Sequence, residues 1–137
     1  MNGKSRKNII TKEEITNLIA NYFSNIAAIN TEDWIKNFAE DAVRYDPVGE
    51  PTTKIHENFR AFISQLKTVF NTLEATTEHI FITGNEVAVK WTMQGISKTD
   101  KSATFEGITV FEINNFGKIQ TTRAYGNPAL MLAQLRS

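Results

Sequence analysis

The hydrophobic period changes near the middle of the chain, and this change limits the possible folds more than any other feature. In the first half, apolar residues recur at helical spacing in two segments, at Ile15, Leu18, Ile19, Tyr22, Phe23 and Ile26 and at Phe59, Phe62, Ile63, Leu66 and Phe70. In the second half they alternate with polar residues, which is typical of strands. Helices followed by an antiparallel meander predict an α+β fold in which the helices cover one face of a curved sheet.

Local signals predict where the three N-terminal helices begin and end. Thr11 and Glu14 have the spacing of a capping box, which predicts a first helix that runs to about Ile29. Thr31 is the predicted N-cap of a shorter second helix. A third helix is predicted over residues 57–71, with its apolar residues on one stripe.

The strands predicted from alternation are the short AVRY and the longer EHIFIT, EVAVKWTMQGIS, ATFEGITVFEI and KIQTTRAY. Asn127 and Pro128 then fit the cap and first position of a short last helix. In ATFEGITVFEI, apolar residues point to both faces, so neither face is expected to be fully solvated. We therefore predict a homodimer that buries the outer sheet face, where Ile108 and Val110 lie.

The composition excludes several classes of function. Lys plus Arg and Asp plus Glu both total 15, so the chain has no basic surface suited to nucleic acid or to an anionic membrane. Cysteine is absent and only His56 and His79 are histidines, which argues against a metal site. No apolar run approaches the ~20 residues of a membrane span. We expect a cytoplasmic protein with a flexible segment over residues 1–10 and a single domain over residues 11–137.

The stretch RYDPVGEP, residues 44–51, places the carboxylate of Asp46 between an aromatic residue and a proline. An aspartate before Pro-x-Gly is good turn chemistry, so one interpretation is a turn cap. The other is a base held in an apolar pocket, where desolvation would make the carboxylate a better proton acceptor. The residues alone leave both interpretations open.

Several segments together resemble the NTF2-like superfamily, in its SnoaL-like and ketosteroid isomerase-like branch. They are NYF, FAEDAVRYDPVGEP, FRAFISQL, FEGITVFEINNFGKIQTTRAY and NPALMLAQL, and they extend over nearly the whole chain. The resemblance implies a cone of helices on a strongly curved antiparallel sheet, closed around an apolar cavity and usually dimeric.

The same resemblance implies roles for individual residues. Asp46 matches the general base of the isomerases, and Tyr22 matches the tyrosine that donates a hydrogen bond to the developing oxyanion. Thr109 occupies the position of the second donor, which in the isomerases is an acid. The residues expected to line the ligand cavity are Phe38, Val48, Phe62, Leu66 and Phe111.

These assignments predict an enzyme that transfers a proton next to a carbonyl, with no metal or organic cofactor, on a small apolar or carbonyl-containing ligand. The alternatives are a SnoaL-like polyketide cyclase and a non-catalytic module that binds an apolar metabolite. Epoxide hydrolysis on this fold needs an arginine-aspartate pair on the long strand, where Gly107 and Thr109 stand instead. Tyr22 also lies on the apolar stripe of its helix, so a purely structural role remains open.

The remaining polar and aromatic candidates have simpler interpretations. For Arg44 and Arg123 the simpler expectation is an ion pair with Glu106 or Glu112; the alternative is an arginine in the cavity that holds an anionic substrate. The tryptophans Trp34 and Trp91 are expected in the core or in the cavity wall, and the two histidines at solvated positions.

Overall fold

The computed structural model describes residues 10–136. The helices are α1 (Lys12–Ala27), α2 (Thr31–Ile35), α3 (Ile55–Val69) and α4 (Pro128–Arg136). The strands are β1 (Phe38–Tyr45), β2 (Thr53–Lys54), β3 (Phe70–Thr83), β4 (Glu86–Ser97), β5 (Ser102–Ile113) and β6 (Ile119–Gly126). The predicted α+β fold is confirmed, with three helices before the long strands and one short helix after them.

All six strands join one curled, unclosed sheet in the order β2-β1-β6-β5-β4-β3. Neighbouring strands are antiparallel except at the junction of β1 and β6, which run parallel. The predicted meander is therefore correct for β3 to β6. β1 precedes the meander in sequence and pairs with the last strand of the meander, β6, in the parallel direction. The last residue of β1, Tyr45, therefore lies beside Arg123 of β6.

The helix caps follow the sequence signals closely. Thr11 Oγ1 accepts from the Glu14 backbone N–H at 3.1 Å and Glu14 Oε1 accepts from the Thr11 N–H at 3.0 Å, which confirms the capping box. The predicted cap of α2 was wrong by one residue, because the Asn30 side chain accepts from the Asp33 N–H at 3.1 Å. Asparagine is at least as favourable at an N-cap as threonine, so residue type alone did not identify which of Asn30 and Thr31 is the cap.

Strand β3 begins eight residues earlier than the predicted segment EHIFIT. Residues 70–77 carry few apolar side chains, and of these Phe70 and Leu73 are buried. They form a strand because they pair with β4, where Leu73 lies opposite Gly95. Pairing with a neighbouring strand has overridden a weak local pattern here.

The core lies between the helices and the inner face of the sheet. Its largest fully buried side chains include Trp34, Phe111, Ile19 and Val89. The predicted flexible segment falls outside the described residues except for Ile10, which packs against this core. No helix within residues 10–136 has the length and apolar character needed to cross a membrane.

Candidate active site

Asp46 follows the last residue of β1 and forms an ion pair with Arg44. Side chains two residues apart on a strand point to the same face, so this spacing brings the two groups together. Arg44 Nη2 donates to Asp46 Oδ2 at 2.5 Å. The Arg44 side chain is 14% exposed and that of Asp46 is 38% exposed, so the pair lies at an opening of the inner face to solvent.

The guanidinium of Arg44 also lies over the ring of Phe62, with its central carbon 3.8 Å from the ring centroid. Phe62 comes from α3, which therefore covers the cation and helps to fix it. The expected pairing of Arg44 with Glu106 or Glu112 was wrong. In the register, Arg44 is beside Thr122 and Phe111 on the inner face, whereas both glutamates project from the other face of β5.

Tyr22 enters the same region from α1. Its ring makes edge contacts with Phe111 and Phe38, at centroid distances of 4.9 and 5.9 Å. Burial raises the pKa of the Tyr22 hydroxyl well above its usual value; the charge of Arg44 opposes this shift and that of Asp46 adds to it. The phenol is therefore neutral at physiological pH and is electrostatically coupled to the ion pair.

The Tyr22 hydroxyl makes no hydrogen bond to any other residue in the range 10–136. The same range has one enclosed side-chain polar atom without a partner, Trp34 Nε1, so the Tyr22 oxygen keeps some contact with solvent. A phenol that is mostly buried, neutral and unbonded is suited to donate to an acceptor on a ligand.

Thr109 lies on β5, two residues before Phe111 and on the same face. It is buried, and its Oγ1 accepts a hydrogen bond from Trp91 Nε1 at 2.9 Å. Thr109, the residue expected to be the second hydrogen-bond donor to a ligand, thus accepts a hydrogen bond from Trp91. Trp91 itself is half-buried, next to buried Val89 and Met93 on the same strand face.

Ala124 on β6 connects the two halves of the site. Thr109 pairs directly with Ala124, and the carbonyl oxygen of Ala124 accepts from the Val48 N–H at 2.9 Å. The segment that carries Asp46 and the strand that carries Thr109 therefore flank the same residue.

The other predicted lining residues differ in burial. Phe38 and Phe111 are buried, Phe62 and Leu66 are half-buried on α3, and Val48 is exposed at the edge of the site. Phe38 and Phe111 thus contact the Tyr22 ring, whereas Phe62 contacts Trp34 and Arg44.

Two surface concavities lie elsewhere on the described part of the chain. One, of about 510 Å³, is lined by residues that include Asn30, Glu32 and Arg60, and the other, of about 480 Å³, lies over Glu74 and Gln94. Neither is lined by Tyr22 or Asp46. Among residues 10–136, no group of three or more acidic or histidine side chains is placed to hold a metal ion.

Two features of the site were missed in the sequence. The partner of Asp46 could have been found from the i, i+2 spacing of Arg44 alone. The contact between Trp91 and Thr109 joins residues 18 positions apart on neighbouring strands, and no local pattern indicates it.

The sequence model of the SnoaL-like domain family matches residues 19–121. No match was found among curated proteins. A solved M.tuberculosis LEH-like epoxide hydrolase has a TM-score of 0.73 at 18% identity, over 90% of this chain and 90% of that one. SalBIII, an epoxide hydrolase/cyclase-like enzyme in pyran ring formation in polyether salinomycin, gives 0.75 at 18% identity, over 87% and 95%. TerC, co-crystallized with polyporic acid, gives 0.75 at 14% identity, over 90% and 99%.

Proposed function

Because the chain belongs to the SnoaL-like domain family, within the NTF2-like superfamily, we propose that it is a small-molecule enzyme that transfers a proton next to a carbonyl group. Asp46 removes the proton, and the Tyr22 hydroxyl donates a hydrogen bond to the enolate oxygen that forms. The ligand is apolar or carbonyl-containing, and this chemistry requires no cofactor. The observation that carries the proposal is the buried, unbonded phenol of Tyr22 beside the Arg44–Asp46 pair.

Arg44 places a positive charge beside the proposed base. When Asp46 takes a proton from the substrate, the guanidinium remains to balance the negative charge that forms on the enolate. A site of this kind suits a substrate that gives a delocalised enolate, such as one flanked by two carbonyls, as in polyketide-like intermediates.

A second candidate is ring closure by an oxygen nucleophile. The same carboxylate can accept the proton of a hydroxyl that attacks an epoxide carbon, while Tyr22 donates to the oxygen that is released. The Arg44–Asp46 pair favours this candidate, and two proteins of the same fold are an LEH-like epoxide hydrolase and an epoxide hydrolase/cyclase-like enzyme.

The test is a comparison of two aspartate variants on a panel of 1,3-dicarbonyl compounds, unsaturated cyclic ketones and hydroxy-epoxides. Asp46→Asn should reduce kcat by about 100- to 10,000-fold, the usual contribution of a positioned acid-base group. Asp41→Asn is the matched control, because Asp41 is an exposed residue of β1 that accepts from Gln120. Equal activity of both variants on a substrate that the wild type converts would contradict the role of Asp46.

Tyr22→Phe should cause a smaller loss of kcat, about 10- to 100-fold, because it removes one hydrogen bond to a developing charge and leaves the ring packing intact. If the wild type converts no member of the panel but binds apolar ligands, the non-catalytic binding module becomes the better account.

We also propose that the protein is a homodimer, formed through the outer sheet face as the sequence predicts. Three large apolar side chains of this face are exposed to solvent in the single chain: Phe81 at 67%, Tyr125 at 48% and Ile108 at 44%. Across β4 and β5 they neighbour Lys90 and Val110. Large apolar side chains exposed together on one sheet face are typical of an interface between subunits.

A further inference from the structure

The indole nitrogen of Trp34 is the one enclosed side-chain polar atom within residues 10–136 that has no hydrogen-bond partner. The residue is only 1% exposed, so its N–H is removed from solvent as well. An indole N–H can only donate, and a buried donor without an acceptor is costly and uncommon. The second tryptophan of the chain, Trp91, shows the usual arrangement, because its N–H donates to Thr109 Oγ1 at 2.9 Å. The Trp34 N–H therefore needs an acceptor that this part of the chain does not supply.

Hydrogen bonds to the main chain of Trp34 fix the position of the residue. Its backbone N–H donates to the Asn30 carbonyl at 3.0 Å. Its own carbonyl accepts from the backbone N–H and from the side-chain amide of Asn37, at 3.2 and 3.0 Å. The Asn37 amide also donates to Asn25 Oδ1 at 2.9 Å, which joins α2 to α1. The indole is thus attached to a well-bonded framework, and its unpaired N–H is not the result of a loosely held segment.

The Trp34 ring lies among the rings of the proposed site. Its centroid is 4.7 Å from that of Phe38, 5.2 Å from that of Phe62 and 6.0 Å from that of Tyr22. The Arg44 guanidinium lies over the Phe62 ring, and Phe38 also contacts Tyr22. The indole therefore contacts the phenol of the site directly and is separated from the ion pair by one ring. An N–H among apolar rings is matched by an acceptor oxygen on a ligand that enters between them.

We propose that Trp34 is a specificity-determining residue, whose indole N–H binds a second, neutral oxygen of the ligand, separate from the oxygen at Tyr22. This inference rests on the proposed function, because it narrows the ligand class of the same site. That class is an apolar ring system with two oxygens: a hydroxyl or enolisable carbonyl that faces Tyr22, and an ether or carbonyl oxygen that faces Trp34. The second oxygen is neutral because a charged acceptor in such an apolar setting would need more than one donor.

The probes are 2-naphthols that carry a methoxy group on the second ring, each paired with the ethyl analogue of the same shape. The methoxy oxygen accepts a hydrogen bond and the ethyl group does not. The wild type should bind at least one methoxy compound about tenfold more tightly than its ethyl partner, because the ethyl compound leaves the indole N–H unpaired. Trp34→Phe keeps an aromatic ring without the N–H and should bind the two compounds of that pair with similar Kd. The difference between the two ratios isolates the hydrogen bond from the packing of the ring.

Proton–nitrogen NMR of the wild type gives a second measurement that does not depend on the folding of the Trp34 variant. The chain has two tryptophans and therefore two indole N–H signals, of which Trp91→Phe removes one and so assigns both. The methoxy compound should move the Trp34 proton signal further downfield than its ethyl partner does. Trp91 is the matched internal control, because its N–H already donates to Thr109 and should respond equally to the two compounds.

The outcomes separate the inference from the proposed function. If the wild type binds both members of every pair equally, or if Trp34→Phe keeps the preference for methoxy, the second oxygen does not lie at Trp34 and the inference is overturned. The same holds if the Trp34 signal responds equally to both compounds, since its N–H is then satisfied by a ring or by a buried water. If no naphthol binds, the ligand class is wrong. In each of these cases a loss of kcat in Asp46→Asn would leave the proposed function standing.

Discussion

The two faces of strands β4 and β5 differ in the burial of their polar side chains. On the inner face, Trp91 and Thr109 are joined by a hydrogen bond in a largely buried setting. On the outer face, Lys90 Nζ contacts Glu78 at 2.8 Å and Glu106 at 2.6 Å; the two glutamates are exposed and Lys90 is half-buried. The alternation of side chains along a strand therefore places the proposed site directly behind the proposed dimer surface.

The two ion pairs show the same contrast. The Lys90 cluster raises the pKa of Lys90 and lowers that of Glu78 through hydrogen bonds, but solvent screens exposed pairs strongly. Arg44 is more buried, is covered by Phe62, and lies within electrostatic reach of the neutral phenol of Tyr22. We conclude that location, more than the number of charges, distinguishes a candidate catalytic pair from a surface pair.

The largest expected difference between the two faces is in the association of subunits. Ile108→Lys should weaken the proposed homodimer by about 100- to 1,000-fold, because a two-fold interface would bury two unpaired charges. Sedimentation at micromolar concentration measures this directly. Gln65→Lys, at an exposed position on α3, is the control and should leave the dimer unchanged. A wild-type monomer under these conditions would contradict the assignment of the outer face.

The inner face should govern the stability of the fold. Val89→Ala removes two methyl groups from a fully buried position and should lower the free energy of unfolding by about 2–3 kcal/mol, through lost burial and the cavity left behind. Val110→Ala is the same change on the outer face, where the residue is half-buried, and should cost less than about 1 kcal/mol. Urea unfolding of both variants at one protein concentration measures the two losses. Equal decreases in the free energy of unfolding would contradict the claim that the inner face governs the stability of the fold.

The smallest effect is the response of Tyr22 to alkaline pH. Its folded-state pKa is raised above the unfolded value of ~10, so the folded state keeps a proton that the unfolded state loses. Stability from this group is present below about pH 10 and declines as the pH rises further. From pH 8 to 10.5, the wild type should lose about 0.5–1 kcal/mol more than Tyr22→Phe in urea unfolding. Identical losses in both proteins would mean that the phenol is solvated.

The elements with a strong local period could be predicted from the sequence. The stripes of α1 and α3 and the alternation of β4 and β5 identified the fold class, because burial selects one face of each element. Residues 70–77 could not be recognised as strand, since their conformation depends on pairing with β4. The parallel neighbour of β1 likewise depends on a contact about 80 residues away in sequence.

The site shows the same division between local and distant information. Asp46 and Tyr22 were proposed from the family resemblance, and the structure places them within electrostatic reach of each other. The hydrogen bond from Trp91 to Thr109 was not predictable, because it requires the register of β4 on β5 and the absence of a side chain at Gly107.

The most direct measurement is a methyl NMR titration with 4-nitrophenol, because methyl groups distinguish the two faces of the sheet. Our account predicts saturable shifts at the Thr109 and Ala124 methyl groups, with a change at the Trp91 indole N–H and none at Ile108 or Val110. The titration repeated on Tyr22→Phe should show weaker binding at the same methyl groups. Saturable shifts at Ile108 and Val110 alone would show that the ligand binds the outer face, and would contradict the assignment of the inner face as the functional site.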